Sequence, residues 1–134
     1  MVSRTGIGDF MTAIARLAAV SVDCADPAVL SDFYRRLLDA EVFFESDDFV
    51  ALKGAGVMLT LQRVQNYRPP EWPGDVSPKQ LHLEFAVDDL DAAEQQVISL
   101  GARRAGVQPS PDRWRVLLDP AGHPFCLMHP IPGA

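Results

Sequence analysis

The sequence predicts an α+β fold in which two tandem β-α-β-β-β modules are related by a pseudo-two-fold, with their helices outside. Three observations carry this. The helix starts Asp26 and Asp89 stand 63 positions apart, and each follows an alternating apolar run. Gly56 and Gly122, which precede the last strand of each half, stand 66 positions apart. A proline-dense stretch at 65–80 separates the halves. Internal repetition of this kind constrains a fold before any single element is placed.

Residues 16–23 (RLAAVSVD) alternate around valines and read as a strand. Asp26 offers a side-chain acceptor at an N-cap, and Pro27 suits the first helical position. Val29, Phe33 and Leu37 form one stripe, widened by Leu30, Tyr34 and Leu38, so a helix of about three turns runs through Leu38. Strands follow at 41–46, 49–53 and 57–64, with Asp47-Asp48 and the GAG at 54–56 as turns. The second half begins alike. Residues 81–87 (LHLEFAV) put Leu81, Leu83, Phe85 and Val87 on one face and His82, Glu84 and Ala86 on the other. Asp88 and Asp89 cap a helix with Leu90, Ala93, Val97 and Leu100 on one face, and Gly101 ends it. Strands at 103–108, 113–118 and 123–129 complete the chain.

At 134 residues the chain is one domain, expected over 11–134 behind a disordered tail at 1–10, with modules at about 15–64 and 80–129. A net charge of −6 without a basic run disfavours nucleic acid. The apolar stretch at 10–24 is interrupted by Arg16 and is too short to span a bilayer, so no membrane association is expected. Cys24 and Cys126 are too few for a disulfide scaffold and match no zinc spacing; free thiols fit a reducing cytosol, hence a cytoplasmic protein. No GxGxxG, P-loop, HExxH or GxSxG pattern occurs.

The connector 65–80 (QNYRPPEWPGDVSPKQ) holds four prolines, too many for a central strand. Its Tyr67 and Trp72 are costly to leave in water. They either clamp the two halves together or line a ligand pocket.

The repeat, FYRRLLDAE (33–41), QRVQNYRPPEWP (62–73), QLHLEFAVDDLDAAE (80–94) and DPAGHPFCLM (119–128) together resemble the glyoxalase/bleomycin resistance/extradiol dioxygenase superfamily, the vicinal oxygen chelate fold, in its glyoxalase-like branch. The resemblance covers about residues 15–129. It implies curved sheets forming a cup that holds a ligand, and pairing of chains as a homodimer. It also implies a divalent metal bound by the first and last strands of each module, at positions that fall on Ala19, Thr60 or Gln62, His82 and Cys126. Alanine cannot ligate and threonine is a poor ligand for a borderline ion. A catalytic site generally needs three protein ligands. A metal-free cup is therefore expected, with Gln62, His82 and Cys126 as the weak candidates for a residual site.

His82 turns inward by strand parity and is either a structurally hydrogen-bonded imidazole or a group for binding or proton transfer. Glu84, on the same face, is placed to orient His82, to act as a base, or to pair with an arginine. Cys126 is either core packing or a ligand or nucleophile. Ser21 and Asp23 share the face of Ala19. In a regular strand His123 and His129, of opposite parity to Cys126, would not face the cup; His123 reads as part of the Gly122-Pro124 turn and His129 as surface. The expected function is a metal-free cup binding a small organic ligand through Gln62, Tyr67, Trp72, His82 and Cys126. The alternative is a lyase, isomerase or dioxygenase-type enzyme, working through a degenerate metal site or through His82 and Glu84 as acid and base.

Overall fold

The computed structural model describes residues 13–54, 56–74 and 77–133; the tail expected at 1–10 lies outside them. The first module comprises β1 (Ala19–Cys24), α1 (Pro27–Leu38), β2 (Glu41–Glu45), β3 (Phe49–Lys53) and β4 (Met58–Arg63). The second comprises β5 (Leu83–Ala86), α2 (Leu90–Ser99), β6 (Arg103–Arg104), β7 (Trp114–Leu118) and β8 (Pro124–Met128). The sheet orders are β1-β4-β3-β2 and β5-β8-β7-β6, one topology used twice. In each sheet the first and last strands pair in parallel and the others antiparallel. Ser21 faces Thr60 in one sheet and Glu84 faces Cys126 in the other, which reproduces the offsets of 63 and 66 in the sequence. The sheets are not joined: among the described residues the cup consists of two four-stranded halves rather than one continuous sheet.

The capping chemistry is as the sequence predicts. Asp26 Oδ1 accepts from the amides of Ala28 and Val29, and Asp89 Oδ1 from Ala92. Gly101 follows α2 at φ 120°, a conformation that glycine adopts without a Cβ clash.

Alternation sorts each sheet into two faces. Leu52, Leu59, Leu61, Leu117, Phe125 and Leu127 pack with Leu30, Phe33 and Tyr34 of α1 and with Leu90 and Val97 of α2 in one continuous core. Helix α1 spans both modules there: Phe33 meets Phe125 at 5.9 Å between ring centroids, and Tyr34 meets Phe85 at 6.1 Å. Buried Glu94 on α2 is compensated by Arg104 at 3.0 Å and Arg115 at 3.2 Å.

Several expectations need correction. Strand β1 starts at Ala19, because its partner β4 begins at Met58 and leaves 16–18 with nothing to pair. Val29 is 53% exposed; the buried stripe of α1 is centred one residue later, on Leu30, Phe33 and Tyr34. Strand β5 starts at Leu83, where pairing to Phe125 begins, and leaves Leu81 75% exposed. The strand expected at 103–108 shrinks to Arg103–Arg104. Beyond it Gln108 replaces a backbone: its Nε2 donates to Val116 O at 2.7 Å, and its Oε1 accepts from Val116 N at 2.9 Å. No helix of the described residues is long and apolar enough to cross a membrane.

Candidate functional site

The face opposite the core carries the polar residues of both modules. In the second module Glu84, Cys126 and Val116 lie side by side across β5, β8 and β7. His82 stands just before β5, its Nε2 3.9 Å from Glu84 Oε1. The connector folds back over this face, so that Trp72 packs, as Trp114 does, against the cluster of Ala105, Val116 and Cys126. The result is a cavity of about 330 Å³ walled by Trp72, Trp114, Val116 and Cys126, and lined also by His82 and Glu84. Lys79 lies over the Trp72 ring at 5.6 Å from the centroid and lines the same space.

A second cavity of about 470 Å³ occupies the seam between the modules, bounded by β1, the connector and the approach to β5. Lys79, His82 and Pro124 line both spaces, so the two adjoin. Tyr67 belongs to this cleft and not to the tryptophan-walled cavity. Its hydroxyl donates to Ala121 O at 2.7 Å, and its oxygen lies 3.1 Å from His123 Nε2. That nitrogen is also 2.6 Å from the Asp23 carbonyl, which can only accept, so the network assigns the proton to Nε2. His123 lies in the turn expected before β8, where strand parity does not apply, and from there it lines the cleft. His129 is exposed, as expected.

Gln62 does not join this site. It lies exposed on β4 of the first module, paired with Asp23 and Phe49, and lines neither cavity. Arg63, beside it, is tied down by the carbonyls of Ala25 and Asp47 and by Asp48. Nε2 of His82 is the ion-pair partner of Glu84 among the described residues.

Burial pushes the Cys126 thiol above its ordinary range, helped by the Glu84 carboxylate and opposed by Lys79. At neutral pH it is a neutral thiol and therefore a poor nucleophile. Burial likewise raises the Tyr67 phenol, which stays protonated.

Among the ligand positions implied by the resemblance, Ala19 and Thr60 in the first module contribute no good donor. A different set fits better. The donor atoms of His82, Glu84 and Cys126 all lie within 4.8 Å of one another. One nitrogen, one oxygen and one sulfur suit a borderline dication, and here all three come from a single module.

Residues that sequence reasoning missed are Trp114, Val116 and Lys79. Trp114 and Val116 share a face of the strand at 113–118, and that parity was the available signal. Lys79 carried none.

Two β-α-β-β-β modules with a concave, aromatic-walled pocket define a protein of the vicinal oxygen chelate fold. The sequence profile described as a glyoxalase-like domain matches residues 19–128, and the chain belongs to that family, within the glyoxalase/bleomycin resistance/dioxygenase superfamily. No curated protein matches it in sequence. Solved structures resemble it in fold. A glyoxalase/bleomycin resistance protein/dioxygenase family enzyme from Burkholderia phytofirmans is 22% identical, with TM-score 0.68 over 87% of this chain and 100% of that one. A glyoxalase-related enzyme from Fulvimarina pelagi is 16% identical, with TM-score 0.64 over 90% and 94%. The bleomycin-binding protein of Streptomyces verticillus, complexed with copper(II)-bleomycin, is 17% identical, with TM-score 0.57 over 89% and 100%.

Proposed function

We propose that this protein binds a small, partly apolar organic molecule in the concave pocket of its second module, without a resident metal. The observation that carries the reading is the meeting of Trp72 and Trp114, from distant parts of the chain, on one cavity that also holds His82 and Glu84. Flat aromatic walls with a few convergent polar groups are what such pockets use for affinity and orientation. The bleomycin-binding protein, of the same fold, carries an organic ligand, which supports the reading.

A second reading has one observation behind it, the convergence of His82, Glu84 and Cys126. These three would hold a divalent cation, which would supply Lewis-acid chemistry when bound. Lys79, lining the same cavity, opposes a dication there. Elemental analysis after dialysis separates the readings: near-stoichiometric zinc, nickel, iron or manganese lost in Cys126→Ala supports the second.

The expected homodimer belongs to the same proposal. Edge strand β2 exposes Val42, Phe43 and Phe44, an apolar row that a second chain would cover. Light scattering at only the 14.7 kDa monomer mass would remove it. A cytoplasmic setting is supported by two free, buried cysteines.

The binding reading is tested by a thermal-shift screen of aromatic fragments. Hits should stabilise the wild type and lose that effect in Trp72→Ala and His82→Ala. A large fall in melting temperature for Trp72→Ala with no hit for the wild type would contradict the reading.

A further inference from the structure

The charge around the inter-module cleft runs against the charge of the protein. The chain carries −6 overall, yet the connector wall of the cleft presents Arg68 and Lys79. Among the described residues Arg68 has no hydrogen-bond or ion-pair partner. Lys79 has only the face of Trp72, at 5.6 Å. Elsewhere Arg35 and Arg36 share Asp32, and Arg104 and Arg115 share Glu94, whereas Arg103 and Arg113, like Arg68, have no carboxylate partner among the described residues but line neither cavity. On the opposite wall β1 contributes Asp23, which excludes an anion from that side. The cleft joins the tryptophan-walled cavity through Lys79 and His82.

From this juxtaposition we infer that the ligand is an aromatic carboxylate, its ring between Trp72 and Trp114 and its carboxylate in the cleft against Arg68 and Lys79. The inference rests on the binding reading above and adds the ligand's charge and its orientation. Guanidinium and ammonium donors to a carboxylate form charge-assisted hydrogen bonds, about twice as strong as neutral ones. In an acidic protein two such cations without acidic partners are a local field for an anion, and Asp23 fixes which wall receives it. A neutral ring of the same shape would keep the stacking and lose the charge contacts.

Isothermal titration with 3-phenylpropanoate and its neutral counterpart 3-phenylpropanamide tests this at low salt. The acid should bind the wild type about tenfold more tightly than the amide, the discrimination expected of a charge-assisted contact. Arg68→Gln and Lys79→Gln should each bring that ratio towards one, and Asp23→Asn should raise it. Equal binding of acid and amide to the wild type, or a ratio unmoved by both cation variants, overturns the inference and leaves the binding reading intact. Binding of neither compound overturns both.

Discussion

Tyr34 and Asp119 join the two modules: the phenol on α1 donates to Asp119 Oδ2 at 2.5 Å, with each residue only 1% exposed. The other carboxylate oxygen accepts from the amides of Ala121 and His123 and shapes the turn that leads into β8. That turn sets His123 against Asp23 and Tyr67, so one buried carboxylate organises a wall of the cleft.

Tyr34→Phe should therefore cost about 1–3 kcal/mol, the range for a buried acceptor that loses its donor. Urea denaturation at neutral pH measures it. The pH dependence has a definite sign. Burial raises the Asp119 pKa, although the Tyr34 hydrogen bond works to lower it. The folded state then holds the proton more tightly than the unfolded state, so stability falls as pH rises from the ordinary carboxylate range. Removing the hydroxyl should deepen that fall, and an unchanged slope would count against the account.

Cys24 should contribute an alkaline instability. Burial, with Asp26 nearby, pushes its thiol from 9.0 to about 11. Between these values the unfolded chain has released the proton and the folded chain has not, so stability falls with rising pH. Denaturation midpoints measured from pH 8 to 11 should fall less steeply in Cys24→Ala. An identical slope would contradict a contribution from Cys24, because the contributions of separate groups add.

Gln108→Ala should lose about 1–2 kcal/mol, because the amide of Gln108 satisfies both backbone groups of Val116 where a strand would otherwise lie. Hydrogen exchange at the Val116 amide should accelerate in the same variant. Without that acceleration, the side chain is not standing in for a strand.

The repeat was legible because its signals are local. Asp26 and Asp89 cap as side chains do beside any helix start, and the alternating run at 81–87 places Leu83 and Phe85 against the core. Contacts between distant segments were not legible. Nothing near Tyr34 marks Asp119 as its partner, since they are 85 residues apart. In the site, parity put His82, Glu84 and Cys126 on one face, whereas Gln62 lies apart from both cavities because shared parity within a module does not bring two modules to one cavity. His123 escaped the parity rule because it sits in a turn. Lys79 was invisible because a connector has no period to read.

The pocket itself offers the most direct measurement. Both tryptophans of the chain line it, so intrinsic fluorescence reports on this cavity alone. Titration with a small non-fluorescent aromatic compound should quench or shift the emission saturably. Each single-tryptophan variant, Trp72→Phe and Trp114→Phe, should respond with the same midpoint as the other. Trp72→Ala should bind at least tenfold more weakly while losing no more than about 1–2 kcal/mol of stability, against about 3–5 kcal/mol for Phe125→Ala in the core. Emission that no aromatic compound alters, together with a Trp72→Ala loss as large as that of Phe125→Ala, would mean that Trp72 only clamps the modules, and the pocket would not be a binding site.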